Sequence, residues 1–360
     1  KVTIHTEAKK NKLKLFYHIE AGRPYMIRHI AYNIDDLNIS DCLQQDSAQS
    51  MLFPGMPFDV NVLDAERQRI TRLLQNKGYY KFNKDFLVYQ ADTTRNTYLV
   101  DLTLKLLPYQ RKKEDPPQKH RQYLVNSVNF IADSEMTPIR KGSFTGFDSL
   151  SYKGYNMYYK DKMFLRPKLL VDFNRIRPGE FYSERDVQNT YSALGRLRML
   201  KYSNIRFKEV NVSDSTKLDA YIVMSKGQNK SVSFEIEGTN SAGDLGAAAS
   251  ISFQHRNVFK GSETFTMKVR GAYEAITGLG QDYVNDNYTE YGVESSLNFP
   301  EFMFPFLSSD FKRKIKATSE VGLKFTSQVR PEFSRMLASA SWSYRWSEPK
   351  HHLNYRFDLL

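Results

Sequence analysis

Few residues in this sequence have the type and spacing that chemistry requires. Glu235 and Glu237 stand two apart in an alternating stretch, so they share one face of a strand. Two carboxylates so placed can divide acid and base work. Here they sit among serines and other polar residues, which fits a solvated strand face better than a catalytic pair. His351 and His352 are adjacent. On a strand they point to opposite faces and cannot chelate one metal ion. His255, beside Arg256 and Asn257, fits a turn between strands. Cys42 is the single cysteine, so it forms no internal disulfide and has no thiolate partner for a metal. It suits a small core position on a helix. The sequence holds no Gly-rich phosphate loop, no His-x-x-x-His or Cys-x-x-Cys pair, and no Gly-x-Ser-x-Gly elbow. We expect no catalytic residue, no metal and no cofactor. The work left for such a chain is binding.

Charge does not name the partner. The chain of 360 residues carries a net +12, and a basic protein raises the question of nucleic acid. The Lys and Arg residues are spread along the sequence, and no nucleic-acid-binding motif accompanies them. The densest runs, Arg111-Lys112-Lys113 and Lys119-His120-Arg121, flank Pro116-Pro117 and read as a solvated linker with some attraction to anionic lipid. Nucleic acid is not an expected partner. No run approaches ~18 apolar residues, so no helix spans a membrane. With no apolar leader and no initiating Met at its start, the sequence is expected to begin inside a mature protein.

The elements that would do the binding are strands. From residue 231 to the end, polar and apolar residues alternate. Phe265, Met267, Val269, Gly271 and Tyr273 share one face, against Thr264, Thr266, Lys268, Arg270 and Glu274 on the other. Seven strands are expected, near 231–238, 244–255, 262–275, 289–299, 313–327, 333–346 and 350–360. Most match the ~9–11 residues of a tilted membrane-crossing strand. Aromatics group at Phe299, Phe302, Phe304 and Phe306, and at Trp342, Tyr344 and Trp346, as at strand ends meeting a lipid interface. A soluble β-sandwich also alternates. Against it stand the charged polar face and the lack of a second pattern to cover the apolar one.

The first 230 residues are different. Residues 1–22 read as a hairpin with a Lys9-Lys10-Asn11-Lys12 turn, expected to be the closing hairpin of a preceding module. Residues 23–107 read as β-α-α-β-β: a strand Tyr25–Ile34, a helix capped by Ser40 to about Leu52, a helix Asn61–Asn76 with Gly78 after it, and strands Phe86–Gln90 and Tyr98–Leu107 around Asp92-Thr93-Thr94-Arg95-Asn96. Residues 108–121 are a linker. Residues 122–227 repeat the unit, with Pro178-Gly179 mirroring Pro54-Gly55, a helix from Ser183, and strands Ile205–Val210 and Leu218–Ser225 around Ser213-Asp214-Ser215. An insertion at 135–175 replaces the first helix, and its Tyr158–Leu170 part reads as extended.

Together these features resemble the outer-membrane assembly superfamily, in which periplasmic POTRA modules precede a transmembrane β-barrel. The Pro-Gly-x-x-Phe/Tyr turns ending at Phe58 and Tyr182 carry the resemblance. So do Leu74-Gln75-Asn76-Lys77-Gly78-Tyr79-Tyr80, its counterpart Leu197–Tyr202, and Gly238-Thr239-Asn240 followed by His255-Arg256-Asn257-Val258-Phe259-Lys260-Gly261-Ser262-Glu263. Met199 stands where the family has Gly. Val269-Arg270-Gly271-Ala272-Tyr273 only superficially matches the family's late barrel signature and is read as strand alternation. The insertion Tyr155–Lys168 and the Pro178–Ser183 turn look most like the TamA-like lipoproteins of Bacteroidetes-type bacteria, with BamA the runner-up. The lipid-bearing cysteine would precede Lys1.

The resemblance implies an α+β fold of POTRA modules followed by the first part, residues 228–360, of an antiparallel barrel. Seven strands are an odd number and too few for closure. It implies an outer-membrane location with modules in the periplasm, unfolded outer-membrane clients, outer-membrane lipid, and a TamB-like periplasm-spanning partner. Clients would add as strands at the module edges Phe86, Leu87, Val88, Tyr89 and Gln90, and Ile205, Arg206 and Phe207. They would also add at the short first barrel strand, Val232, Phe234 and Ile236, on one side of a weak seam. Two alternatives remain: a member of the superfamily exporting one dedicated partner that docks on the insertion, and a soluble periplasmic β-rich binding protein.

Overall fold

The computed structural model describes residues 2–9, 12–20, 22–94, 97–110, 116–132, 144–210, 216–241, 244–276, 287–308, 311–312, 315, 317–348 and 351–359. The expectations at Lys10-Asn11, Arg95-Asn96, Arg111-Lys112-Lys113, 135–143 and Ser213-Asp214-Ser215 lie outside the described residues. The chain divides into two compact units, Lys1–Tyr123 with Phe181–Glu184, and Leu124–Glu180 with Arg185–Leu360.

The first unit opens with an antiparallel hairpin of β1 (Val2–Lys9) and β2 (Lys12–Ile19), in register from Val2↔Ile19 to Lys9↔Lys12. Then follow β3 (Met26–Asn33), α1 (Leu37–Gln45), α2 (Val60–Asn76), β4 (Leu87–Asp92) and β5 (Leu99–Leu106). The sheet order is β3-β5-β4, with β3 parallel and β4 antiparallel to β5. Thus β5 is central and β4 is an edge.

Helix α1 starts earlier than the Ser40 cap implies and stops at Gln45. The Asp36 carboxylate accepts the Asn38 and Ile39 amides at 3.1 and 3.3 Å. A carboxylate there meets both the unpaired amides and the positive end of the helix. Asp59 caps α2 through the Asn61 amide at 2.8 Å. At its end Gly78, with φ +102°, follows the cap. The Tyr79 amide donates to the Leu74 carbonyl at 3.1 Å and the Gly78 amide to Gln75 at 3.3 Å, a Schellman closure. Leu74 and Ile70 of α2 pack on Ile39 and Leu43 of α1 and on Leu87 and Leu104 of the sheet, with the Cys42 thiol at the margin of this cluster.

Glu66 of α2 is fully buried. It accepts from Arg69 Nε and Nη2, each at 2.8 Å, from the Met51 amide at 3.0 Å and from the Ser50 hydroxyl at 3.1 Å. Arg69 also pairs with Asp46. The network ties the α1–α2 connection to α2. Burial pushes the Glu66 carboxyl up, but the bonds from Arg69, Met51 and Ser50 outweigh it, so the carboxyl titrates below its ordinary value. Its stabilising contribution is therefore full above the ordinary glutamate range and fades as pH falls through the lowered value. Replacing Glu66 with Gln lowers stability by about 1–2 kcal/mol at pH 7. The gap to the wild type in thermal midpoint narrows towards pH 3, and a gap independent of pH would contradict the network.

The second unit begins with β6 (Leu124–Ala132), β7 (Asp148–Tyr152), β8 (Tyr155–Tyr159), α3 (Pro167–Phe173), α4 (Glu184–Leu194), β9 (Leu200–Glu209) and β10 (Lys217–Lys226). Its sheet runs β7-β8-β6-β10-β9. Here the expectation for the insertion is corrected. Strand β8 ends at Tyr159, and residues from Pro167 are helical rather than extended. Pro at the first helical position brings its φ preset, and Leu169, Leu170 and Phe173 turn inward and are buried. The insertion keeps a helix and adds the β7–β8 hairpin, which pairs parallel to β6.

Seven antiparallel strands follow in sequence order: β11 (Lys230–Ser241), β12 (Asp244–Arg256), β13 (Thr264–Ala275), β14 (Asn287–Phe299), β15 (Thr318–Val329), β16 (Ser334–Glu348) and β17 (Leu353–Leu359). The sheet is open. Its first strand is not short, because β11 pairs with β12 from Lys230↔His255 to Ser241↔Asp244. Trp342, Tyr344 and Trp346 lie inside β16 and not at a turn. The two aromatic groups meet: Phe302 packs edge-on against Tyr344 at 5.0 Å. His351 and His352 precede β17 in a turn, where His352 has φ +54°, so strand alternation does not apply to them.

The pairing register carries the alternation across the sheet. Cross-strand partners lie on the same face. Phe234, Ile251, Val269, Val293, Phe325 and Ala338 form one continuous apolar row. Most of that face is exposed, with Ile236 at 74% and Met336 at 79%. The polar face is the more crowded one. Glu235 pairs with Lys268 at 3.0 Å and Glu237 with Arg270 at 2.9 Å, reaching over β12. Ala248 and Ser250 beneath them are small and buried. This is the reverse of a soluble sheet, which buries its apolar face and wets its polar one.

Candidate strand-pairing edges and the turn that seats the large sheet

The three segments expected to pair with clients fall on sheet edges. Leu87, Val88, Tyr89 and Gln90 are in β4. Phe86 is not; it ends the 3₁₀ turn Lys84–Phe86 capped by Asn83. Ile205, Arg206 and Phe207 are in β9, and Val232, Phe234 and Ile236 in β11. Each of these strands closes its sheet on one side.

The edges differ in what their backbones offer. In an antiparallel pair, alternate residues turn both backbone groups to the partner or away from it. The Leu107 amide donates to the Phe86 carbonyl at 2.8 Å. That phase leaves Leu87, Tyr89 and Ala91 with N–H and C=O groups directed outward from β4. Leu87 is buried and Tyr89 half-buried, so the side chains hold the strand to the core while the backbone faces out. The Tyr89 hydroxyl is buried with no hydrogen-bond partner among the described residues, and burial raises its pKa.

In β9 the Val210 amide donates to the Lys217 carbonyl at 3.0 Å, which turns Ile205 outward. Its backbone groups are already taken. The Ile205 amide donates to the Tyr191 hydroxyl at 2.7 Å. That hydroxyl lies 3.2 Å from both the Ile205 carbonyl and the Asn204 side-chain oxygen, and its one proton serves either. Tyr191 comes from α4. Nothing in the spacing of residues 191 and 205 announces this contact.

A second unforeseen group lies between β12 and β13. Asn257, Lys260 and Ser262 adopt positive φ of 72°, 60° and 60°. Glu263 is 2% exposed. Its carboxylate accepts the Phe259 amide at 3.1 Å, the Gly261 amide at 2.9 Å and Arg166 at 2.8 Å. The Asn257 amide group donates to the Phe164 carbonyl at 2.7 Å, the Arg166 amide to the Lys260 carbonyl at 2.7 Å, and the Met199 amide to the Ser262 hydroxyl at 3.0 Å. A Cβ on Gly261 would lie 2.1 Å from the Arg166 guanidinium and 2.2 Å from the Glu263 carboxylate, so a side chain there would have to displace this ion pair. The turn thus joins the large sheet to the segment before α3 and to the start of β9. Beside it a cavity of 460 Å³ is lined by Arg166, Lys168, Arg196, Phe259, Glu263 and Glu301, among others. Burial, with Asp172 and Glu263 nearby, pushes the Glu301 carboxyl up against the opposing pull of Arg166 and Lys168.

Among the described residues no group of three His, Cys, Asp or Glu is placed to hold a metal ion. No helix among them is long and apolar enough to cross a membrane, which says nothing of strands.

No protein-family model matches the sequence, and no curated protein matches it. Solved structures do. BamA from Haemophilus ducreyi lacking POTRA domains 1–3 aligns at 13% identity with a TM-score of 0.46, covering 90% of this chain and 60% of that one. CdiB from Acinetobacter baumannii aligns at 8% identity and 0.35, covering 95% and 63%. Haemophilus influenzae BamA POTRA3–5 aligns at 13% and 0.33, covering 63% and 71%. By its own geometry the chain is a set of small α/β sheets with outward edges joined to an open antiparallel sheet. Among the described residues, most of the apolar face of that sheet is exposed.

Proposed function

We propose that this chain is part of an outer-membrane assembly protein of the BamA and TamA type, in which residues 23–107 and 122–227 are periplasmic POTRA modules and 228–360 begins a transmembrane barrel. One observation carries this function: a seven-stranded sheet with its apolar face exposed and its polar face ion-paired. Lipid is the medium that suits the first face, and a water-filled interior suits the second. Clients are unfolded outer-membrane proteins, whose strands pair with the outward backbone of β4 and with the free side of β11. Unpaired backbone in lipid costs several kcal/mol per group, so a client strand gains by pairing at β11. Pairing through backbone tolerates many sequences. No nucleotide or cofactor enters, and the role is assembly rather than catalysis. The insertion favours the TamA-like branch with a TamB-like partner. The β7–β8 hairpin gives an exporter variant of the same family its specific observation, since it would dock one dedicated cargo.

The test is on the full-length parent protein purified from membranes. It should need detergent or lipid to stay folded and show a heat-modifiable band on a gel. A monomer that stays soluble without detergent would overturn the membrane location. Deleting 148–159 separates the branches, because an exporter would lose its one cargo while general assembly would continue.

A further inference from the structure

We propose that Tyr191 is a latch on the β9 edge, its hydroxyl filling the backbone rung at Ile205 so that extended clients pair at β4 in preference to β9. This rests on the strand-pairing function above and narrows where that pairing occurs. The geometry is that of a substitute strand. A neighbouring strand would accept from the Ile205 amide and donate to its carbonyl, and the Tyr191 oxygen is placed to do both, at 2.7 and 3.2 Å. Ile205 is near the middle of β9, and its side chain is buried at 7% exposure, so the strand cannot turn these groups elsewhere.

A blocked central rung divides the edge into two short stretches. A client crossing it must first release the hydroxyl. The outward groups of Leu87, Tyr89 and Ala91 on β4 meet no side-chain donor or acceptor among the described residues. Natural sheets guard edges against unwanted pairing; here the middle of one edge is guarded by a hydroxyl from a helix, and the outward groups of Leu87, Tyr89 and Ala91 on the other meet no such group among the described residues. Because Tyr191 belongs to α4, a shift of that helix would release the rung.

The test uses the whole chain in detergent micelles, hydrogen exchange resolved along the sequence, and a synthetic peptide of residues 264–275 as the alternating strand. In the wild type the peptide should slow exchange in 87–91 at concentrations that leave 203–209 unchanged. Tyr191→Phe keeps the ring and removes the hydroxyl. Without peptide, the Ile205 amide should exchange faster. With peptide, protection should extend to 203–209, at about threefold to tenfold lower peptide concentration than the wild type needs there, the worth of one hydrogen bond. Asn204→Ala, which removes the alternative acceptor and leaves the rung filled, should behave as the wild type. A tyrosine that is merely structural would lower the thermal midpoint of Tyr191→Phe with no gain in protection, and that result overturns the latch. Protection of 87–91 in both proteins and of 203–209 in neither also overturns it while strand pairing survives. Protection of none of 87–91, 203–209 and 231–240 in either protein would remove strand pairing and the latch together.

Discussion

Replacing Glu263 with alanine strips the β12–β13 turn of the acceptor for two backbone amides and should destabilise the second unit by about 3 kcal/mol. The Phe259 and Gly261 amides both end on this carboxylate. Each orphaned buried group costs about 1–3 kcal/mol. The three positive-φ residues Asn257, Lys260 and Ser262 then lose the brace that holds them. Arg166 loses its partner too, but it is half exposed and water compensates it, so Arg166→Ala should cost only about 1 kcal/mol or less. Glu263→Gln should fall between the two, keeping an acceptor for the amides and losing the charge pair. The measurement is the thermal midpoint of the full chain with hydrogen exchange at Phe259 and Gly261. Equal midpoints for all three variants, with unchanged exchange, would show that the carboxylate is not the brace. Because the same turn binds Phe164, Arg166 and Met199, the loss should reach the segment before α3 as faster exchange there.

Val269→Arg tests the medium of the apolar face. Val269 is central in β13, between Ile251 and Val293, and 40% exposed. In lipid, a cation at the midplane of a barrel strand costs about 2–4 kcal/mol. The variant should therefore fold poorly into vesicles and lose its heat-modifiable band. Ser233→Arg on the polar face of β11, opposite Ser252, should insert like the wild type. If the face instead met water, Val269→Arg would be neutral or improve solubility. The sign of the effect, read from folding yield in vesicles, decides between the two media.

The large sheet was legible because its cause is local. A strand turns successive side chains to opposite faces, so Phe265, Met267 and Val269 declare their face without any other part of the chain. The register then extends that face unchanged, since a slip by one residue would put lysine and glutamate into it. The edge positions of β4 and β9 were expected only from the family resemblance, because element order alone does not say which of two successive strands lies in the middle; the sheet orders place both at an edge. Errors arose where two local signals competed or where the chain bends. Ser40 is a plausible cap, but Asp36 offers a charge to the helix end and wins. Residues from Pro167 alternate poorly as strand or helix, and the burial of Leu169, Leu170 and Phe173 decides for helix. The first strand is expected near 231–238, yet pairing with β12 carries β11 to Ser241.

By itself, then, the sequence determined the two-faced sheet and its strand count, because strand periodicity acts over a few residues. Only the tertiary structure decided which edges have open backbones and what seats the large sheet. The Tyr191 hydroxyl reaches Ile205 because α4 lies against β9, and Arg166 reaches Glu263 across 97 positions of sequence. Contacts of that kind depend on where packed elements come to rest, and no local spacing encodes them.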